Sequence, residues 1–470
     1  MRLAAKHHGY GSPSSRVAPW RAGRQDGSAR AVAHAVATST VCVLAATLTY
    51  VSVASAQTAP GARLSALVPQ IERNLRENVL KFWFPRSVDR EHGGYIVHYG
   101  PKGEPLPGGT KMIVTQARQL WLASRLLRTK AFDGDAGLRE AADVGFEFLR
   151  NRMWDTEHGG FYWEVDPTGR EVLRPHKHLY GQAFGLYALS EYVRATKSSE
   201  AQALADQLFA LLEKHAYDQQ YGGYREFFAR DWSAPPPGIE PYLSSPPEAK
   251  LMNTHLHLLE AFTTYVLAGA GPLARTRLEE LVAIETQAVV RKRWVACTDK
   301  YQRDWTPILD EAGARVSYGH DIENIWLVVD ALHALGRPTA PYHDLFRELF
   351  EYSRQHGYDE EAGGFYDSGP PHEPADRRAK IWWVQAEALV SALQMYQLTG
   401  DASYVEVFEK TWQWVDTRQT DWDSGEWHGT IQPDGEPRRD NKAHPWKGGY
   451  HNGRALVEAL ERIAALSAGD

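Results

Sequence analysis

Apolar residues recur at i, i+3, i+4 and i+7 in twelve segments, at about 62–85, 111–129, 135–153, 177–196, 199–217, 253–270, 272–294, 317–336, 341–357, 380–399, 401–418 and 446–466. That spacing lines up one face of an α-helix, so twelve helices are expected. The even-numbered segments are apolar or small nearly all round, as in Tyr180-Gly181-Gln182-Ala183-Phe184-Gly185-Leu186. The odd-numbered ones carry the charge, as at 200–214 and 347–354. Short links at 133–135, 197–199 and 400–401 join even segments to the next odd ones, the connection of antiparallel neighbours. The links from odd to even instead carry a Gly-aromatic turn. These read His92-Gly93-Gly94-Tyr95, His158-Gly159-Gly160-Phe161, Tyr221-Gly222-Gly223-Tyr224, Ala362-Gly363-Gly364-Phe365 and Ser424-Gly425-Glu426-Trp427. They repeat about every 65 residues, and one double-length gap leaves room for a degenerate copy near residues 294–305. Helix, β-hairpin and helix fill such a period. The pattern predicts an all-α fold, an (α/α)6 barrel of twelve helices with short β-hairpins in the loops at the active-site end; an open helical solenoid is the alternative. In a closed barrel the even helices form the inner layer and aim their positive amino ends into one cavity.

Composition sharpens this only in places. The repeat spans nearly all 470 residues, so residues 57–470 read as a single barrel domain. The first 56 differ. Six basic residues precede an apolar stretch at 31–53 that ends Ala54-Ser55-Ala56, the layout of a cleaved signal peptide with Gln57 as mature start. A periplasmic or secreted protein is expected, without stable membrane association after cleavage; a retained anchor is the competing reading. Two cysteines, one of them Cys42 in the leader, exclude a disulfide framework. A formal net charge of −7, carried by a chain whose leader is basic, speaks against nucleic acid as partner. A monomer or weak homodimer is expected.

The chemistry gathers where the even helices begin. The clusters are Lys111 to Arg118, His176 to Gln182 with Tyr180, Met252-Asn253-Thr254-His255-Leu256-His257, Ser317-Tyr318-Gly319-His320-Asp321-Ile322-Glu323, Lys380-Ile381-Trp382-Trp383-Val384-Gln385-Ala386-Glu387, and Trp446-Lys447-Gly448-Gly449-Tyr450-His451-Asn452. Six polar clusters in one register would wreck a dry core, so they are expected to line a wet site. His257, His320 and His451 are the sharpest candidates, because imidazole exchanges protons near neutrality. Glu323 follows His320 by three residues and Glu260 follows His257 by three, each within reach on its helical face. Residues two apart, such as His255 and His257, point about 200° apart on a helix, so no metal site is expected. A glycosidase using Glu323, Glu387 and Glu426 is a rival, but histidine dominates the ring. Abundant Trp, Tyr and Phe (16, 22 and 15) offer flat faces for sugar rings.

Asn253-Thr254-His255-Leu256-His257-Leu258-Leu259-Glu260-Ala261-Phe262, Gly319-His320-Asp321-Ile322-Glu323, Trp382-Trp383-Val384-Gln385-Ala386-Glu387 and Trp446-Lys447-x-x-Tyr450-His451-Asn452 resemble the N-acylglucosamine 2-epimerase superfamily, nearest its cellobiose 2-epimerase branch. The likeness runs from about residue 62 to 466. It implies the same barrel, a mono- or disaccharide substrate and no cofactor. His320 and His451 look like the two acid/base histidines, His257 like the residue that helps open the sugar ring, and Arg118 like the one that binds the carbonyl oxygen. Glu323 looks like the partner of His320, and Trp383 and Trp446 like the walls of the sugar subsites, with Trp382 the alternative to Trp383. Asn253, Tyr180 and Glu387 are further expected substrate contacts. The implied reaction inverts C2 of a reducing-end glucose: one histidine takes the proton beside the open-chain aldehyde, and the other returns one to the opposite face of an enediolate. An aldose–ketose isomerase, an N-acylglucosamine 2-epimerase and a non-catalytic periplasmic sugar-binding protein are the alternatives. Export, Gly448-Gly449 before Tyr450, and a Pro-rich segment at 233–250 that reads as a rigid lid set this chain apart from the usual family pattern.

Overall fold

The computed structural model describes residues 59–469 apart from 244, 311 and 312; the leader, residues 1–56, lies outside them. Among the described residues twelve long helices follow in order: α1 (Pro60–Arg73), α2 (Ile113–Leu127), α3 (Ala136–Phe148), α4 (Leu179–Thr196), α5 (Ser199–Leu211), α6 (Met252–Leu267), α7 (Pro272–Ala283), α8 (Tyr318–Leu335), α9 (His343–Gly357), α10 (Trp382–Thr399), α11 (Ala402–Trp414) and α12 (Tyr450–Gly469). The even helices pack on one another around a ring that closes from α12 back to α2, and the odd ones lie outside. The fold is therefore the closed barrel rather than the open solenoid. The N-terminal segment seals it: Asn74 donates to Thr420 Oγ1 at 2.9 Å and accepts from Trp427 Nε1 at 2.9 Å, and Trp83 Nε1 donates to Glu426 Oε2 at 2.6 Å.

Each odd-to-even link is a hairpin whose paired residues lie seven apart: Val88 with Tyr95, Trp154 with Phe161, Tyr217 with Tyr224, Tyr358 with Phe365 and Thr420 with Trp427. The degenerate copy pairs Val290 with Cys297, its turn Trp294-Val295-Ala296-Cys297 falling at the start of the expected stretch. The helical pattern had run through it because no Gly-Gly marks the turn. There Val295 takes the left-handed conformation (φ 53°) that Gly93, Gly159, Gly222, Gly363 and Gly425 take elsewhere.

Two side chains per repeat fasten hairpin to inner helix. An acid after the first strand residue meets a buried lysine ahead of the helix: Lys111–Asp89 at 2.7 Å, Lys177–Asp155 at 3.0 Å, Lys250–Asp218 at 3.2 Å, Lys380–Asp359 at 2.8 Å and Lys442–Asp421 at 2.7 Å. In the fourth repeat both partners are replaced, by Arg291 and Val316. Five residues past the lysine register, a second group braces the hairpin backbone. Gln116 accepts the Tyr95 N–H and donates to its carbonyl, both at 2.8 Å. Gln182 does the same for Phe161 and Gln385 for Phe365. His255 Nε2 accepts from Tyr224 at 2.9 Å, and Asp321 Oδ1 accepts from Cys297 at 3.0 Å. Part of the polar ring expected to face the cavity therefore faces the hairpins. The second glycine makes the brace possible: a Cβ at Gly94 would stand 2.6 Å from Gln116 Oε1, and at Gly364 2.5 Å from Gln385 Oε1. Where that position carries a side chain, at Ala296 and Glu426, the residue in brace register is the shorter Asp321 or Asn452.

Lys177 and Asp155 are both fully buried, and Arg230 covers Asp155 at 2.9 Å from the surface. Lys177→Met leaves Arg230 as the sole cation on that carboxylate and is expected to lower stability by about 3 kcal/mol. Urea unfolding measures this, with the exposed Lys81→Met expected to change little.

Candidate active site

Counting from the lysine register (Lys111, Lys177, Lys250, Val316, Lys380, Lys447), the inner helices present two layers to the cavity. Positions three and four residues on carry Tyr180, Asn253, His320, Trp383, Tyr450 and His451. Seven residues on, two helical turns deep, stand Arg118, Phe184, His257, Glu323, Glu387 and Arg454. A cavity of about 210 Å³ at the hairpin end of the barrel is lined by Arg118, Tyr180, Asn253, His257, His320, Glu323, Trp382, Trp383, Trp446 and His451. Of the expected site residues, Glu387 alone stands behind the wall rather than in it.

His320 and His451 both pack against Trp383, with ring centroids 4.8 and 5.8 Å from the indole. Trp383 rather than Trp382 therefore touches both imidazoles, and Trp382 stands edge-on to His444. His451 Nδ1 is bonded to Glu387 Oε1 at 2.7 Å, which leaves Nε2 as its free ring nitrogen. His257 Nδ1 is held in the same way by Glu260 Oε2 at 3.0 Å. Arg118 donates to the Trp446 carbonyl and the Tyr180 hydroxyl, both at 3.1 Å, and stacks on Phe184. Arg118 Nε, Asn253 Oδ1 and Trp382 Nε1 have no partner, so three lining residues keep a hydrogen-bonding atom unused.

Beneath both dyads lies Arg454, 2 % exposed. One Nη donates to Glu260 Oε1 and the other to Glu323 Oε1 at 3.0 Å and Glu387 Oε1 at 2.7 Å. The Tyr450 hydroxyl also donates to Glu260, and Trp326 Nε1 donates to Glu387 at 3.0 Å. Two expectations change here. Glu323 takes Arg454 rather than His320 as its partner, because the guanidinium, in the same register one layer below His320, lies 3.0 Å from its carboxylate. Glu387, expected on the substrate, is the partner of His451. Sequence reading missed Arg454, Trp326 and the role of Tyr450. The signal for Arg454 was its register, shared with Arg118, His257, Glu323 and Glu387.

One guanidinium cannot neutralise three carboxylates. Burial, then the neighbouring Glu387, pushes Glu323 well above the usual carboxylate range, and burial raises Glu387 against the pull of Arg454. At Glu260 burial also pushes up, but Arg454, His257 and Tyr450 outweigh it and hold the carboxyl at about 2. The histidines move the other way. Burial and the nearby His257 push His320 down to about 3, and burial lowers His257 despite Glu260. Burial, Arg118 and Arg454 hold His451 well below the ordinary imidazole value. At neutral pH the free site thus presents neutral imidazoles.

Glu323, Glu387 and His451 bring donor atoms within 4.8 Å of one another, a spacing able to hold a metal ion, yet the Arg454 guanidinium already fills that cationic position. A wider cavity of about 400 Å³ opens at the opposite end of the barrel, with Glu260 and Arg454 in its wall. Its Arg125 is tied to Glu458 and Glu461, and Arg128 and Arg194 to Glu191, so it holds ion pairs where the hairpin-end cavity holds three imidazoles. In the Pro-rich segment Tyr242 accepts or donates a 2.9 Å hydrogen bond with His176 and packs on Trp163 at 4.9 Å; Trp163 in turn lies 5.9 Å from Trp446. The expected lid is thus anchored one aromatic ring away from the cavity wall.

The model of the family described as N-acylglucosamine 2-epimerase (GlcNAc 2-epimerase) matches residues 94–455. A cellobiose 2-epimerase of Bacteroides fragilis is 31% identical over 84% of this chain and 98% of its own. The solved cellobiose 2-epimerase of Spirochaeta thermophila superposes with a TM-score of 0.78 at 32% identity, covering 87% of this chain and all of that one. A D-mannose isomerase of Marinomonas mediterranea is 25% identical over 82% of this chain and 95% of its own. With its closed barrel and the family model spanning most of its length, the chain belongs to the N-acylglucosamine 2-epimerase family.

Proposed function

We propose that this protein is a sugar 2-epimerase that inverts C2 of the reducing-end glucose of a β-linked disaccharide such as cellobiose. The observation that carries the reading is the pair of neutral imidazoles, His320 and His451, that line one cavity and share contact with Trp383. His257, backed by Glu260, opens the sugar ring, and only then does the aldehyde make the C2 proton acidic. One of the two histidines takes that proton and becomes an imidazolium, and the other, once protonated from solvent, delivers one to the opposite face. Arg118, its Nε unpartnered, stabilises the enediolate oxygen as negative charge develops. Trp383 and Trp446 flank the sugar, and the unpaired Asn253 Oδ1 accepts from a hydroxyl. Glu387 holds the His451 ring and its tautomer. The similarity to a D-mannose isomerase supports a second reading, aldose–ketose isomerisation, in which the proton returns to C1. Residues 1–56 are proposed as a cleaved leader that directs export to the periplasm or beyond, with no helix of the described residues long and apolar enough to cross a membrane.

Incubation with cellobiose, lactose, mannose and glucose in D2O, followed by NMR, tests the reaction. Deuterium at an inverted C2 is expected; a ketose product would favour the isomerase, and no turnover would leave a binding protein. His320→Ala and His451→Ala should each cost about 10²–10⁴-fold in kcat with the fold intact, and near-full activity in both would overturn the roles. A general base must be unprotonated, so lowered imidazole values move the acid limb of kcat/KM down: activity should begin to fall only below about pH 6.5. An apparent value at or above 6.5 would mean that burial does not govern these rings. Amino-terminal sequencing of the exported protein should begin at Gln57 if the leader is removed where expected.

A further inference from the structure

The brace that ties hairpin to inner helix is made in five repeats, in four of them by an uncharged residue: Gln116, Gln182, His255 and Gln385; Asn452, in the same register, donates instead to Glu426 Oε1. His255 is neutral by geometry, since Nε2 accepts from Tyr224 while Nδ1 donates to the Leu251 carbonyl at 2.7 Å. The exception is Asp321, in the repeat that carries His320. Its Oδ1 accepts the Cys297 N–H at 3.0 Å, and its Oδ2 is buried with no partner. A glutamine has no room there, because Ala296 brings a Cβ where the other long-brace repeats have glycine. The sixth repeat, which also carries a side chain there at Glu426, has Asn452, the uncharged isostere of aspartate, in this register, bonded to the Glu426 carboxylate.

A carboxylate at this place would also lack a counter-ion. The lysine that precedes the other inner helices is Val316 here, and the matching acid is Arg291, whose guanidinium donates to the Ala288 carbonyl. The titratable groups around Asp321 are the Cys297 thiol on the hairpin, Glu285 before it, Arg291, Tyr318 on the same helix and Tyr352 on α9. Burial pushes Glu285 well up, so it brings no charge to balance.

We propose that Asp321 works as an un-ionised carboxylic acid, a positioning residue that pins the Val290–Cys297 hairpin to α8 by accepting the Cys297 N–H and thereby fixes its neighbour His320. In support, burial raises its carboxyl to about 7, with the Cys297 N–H and thiol pulling only partly back. An acid raised in the folded state releases its proton at a cost to stability as pH rises. Above about neutrality the folded protein therefore holds a buried, uncompensated charge beside the catalytic base.

Asp321→Asn supplies the neutral brace permanently. It is expected to keep kcat within about twofold of the parent at pH 6 and to exceed it above pH 8, with KM unchanged. The melting temperature of the parent should fall from pH 5 to pH 8 more steeply than that of D321N. The infrared difference spectrum, parent minus D321N at pH 6, should show a protonated carboxyl band. Asp321→Ala, which removes the acceptor, should lower kcat about tenfold or more at every pH. If D321N were as impaired as D321A, or if the difference spectrum at pH 6 showed a carboxylate, Asp321 would be a needed anion and the proposal would fall. Should D321A fail to fold, D321N and the spectrum still decide. The activity arm rests on the proposed epimerase reading; the melting and infrared arms do not, so failure of one is distinguishable from failure of the other.

Discussion

One buried guanidinium organises the site. Arg454 lies where three inner helices converge and donates to Glu260, Glu323 and Glu387. Two of those carboxylates hold imidazoles, Glu260 that of His257 and Glu387 that of His451, so a single cation sets the orientation of both dyads. A buried carboxylate is costly without a partner, and three sharing one cation would be worse without donors of other kinds. Tyr450 and Trp326 supply them. The arrangement leaves the cluster short of positive charge, and burial settles the difference by raising Glu323 and Glu387. The imidazoles above then remain neutral bases.

That geometry needs a rigid ring, and the ring's rigidity comes from its hairpins. Five are joined to the helix they precede by a lysine–aspartate ion pair, three by a two-way amide brace, and two by the one-way acceptors His255 and Asp321. Because the brace lies in the first turns of the inner helix, it fixes the turns that carry Tyr180, Asn253, His320 and Trp383. The same buried polar groups would be a liability if unsatisfied; here they are spent on backbone atoms that strands this short leave open. The first N–H group of each of α2, α4, α6 and α10 also goes to a hairpin carbonyl.

Much of this was legible in the chain. Periodicity located the twelve helices because each buries a continuous face, and the Gly-aromatic turns located five of the six hairpins because left-handed backbone selects glycine. The sixth was placed only loosely, near 294–305, and the preceding helix was run over its first strand, since Val295 adopts that conformation without the usual residue. The cavity-facing histidines could be recognised because no solvated surface or dry core accounts for imidazoles at the start of three apolar helices. Which carboxylate serves which histidine could not, since spacing along one helix favours the neighbour three residues on. It was right for Glu260 and His257 and wrong for Glu323 and His320.

By itself, then, the sequence determined the barrel, its inner and outer layers and the residues that meet at one end, because helix periodicity and turn chemistry are local properties that survive without a partner. The tertiary structure decided the pairings. Glu387 reaches His451 across 64 positions of chain, and Arg454 reaches Glu260 across 194, only because the ring closes. A residue's charge state depends on what closes over it, and no stretch of sequence contains its own surroundings.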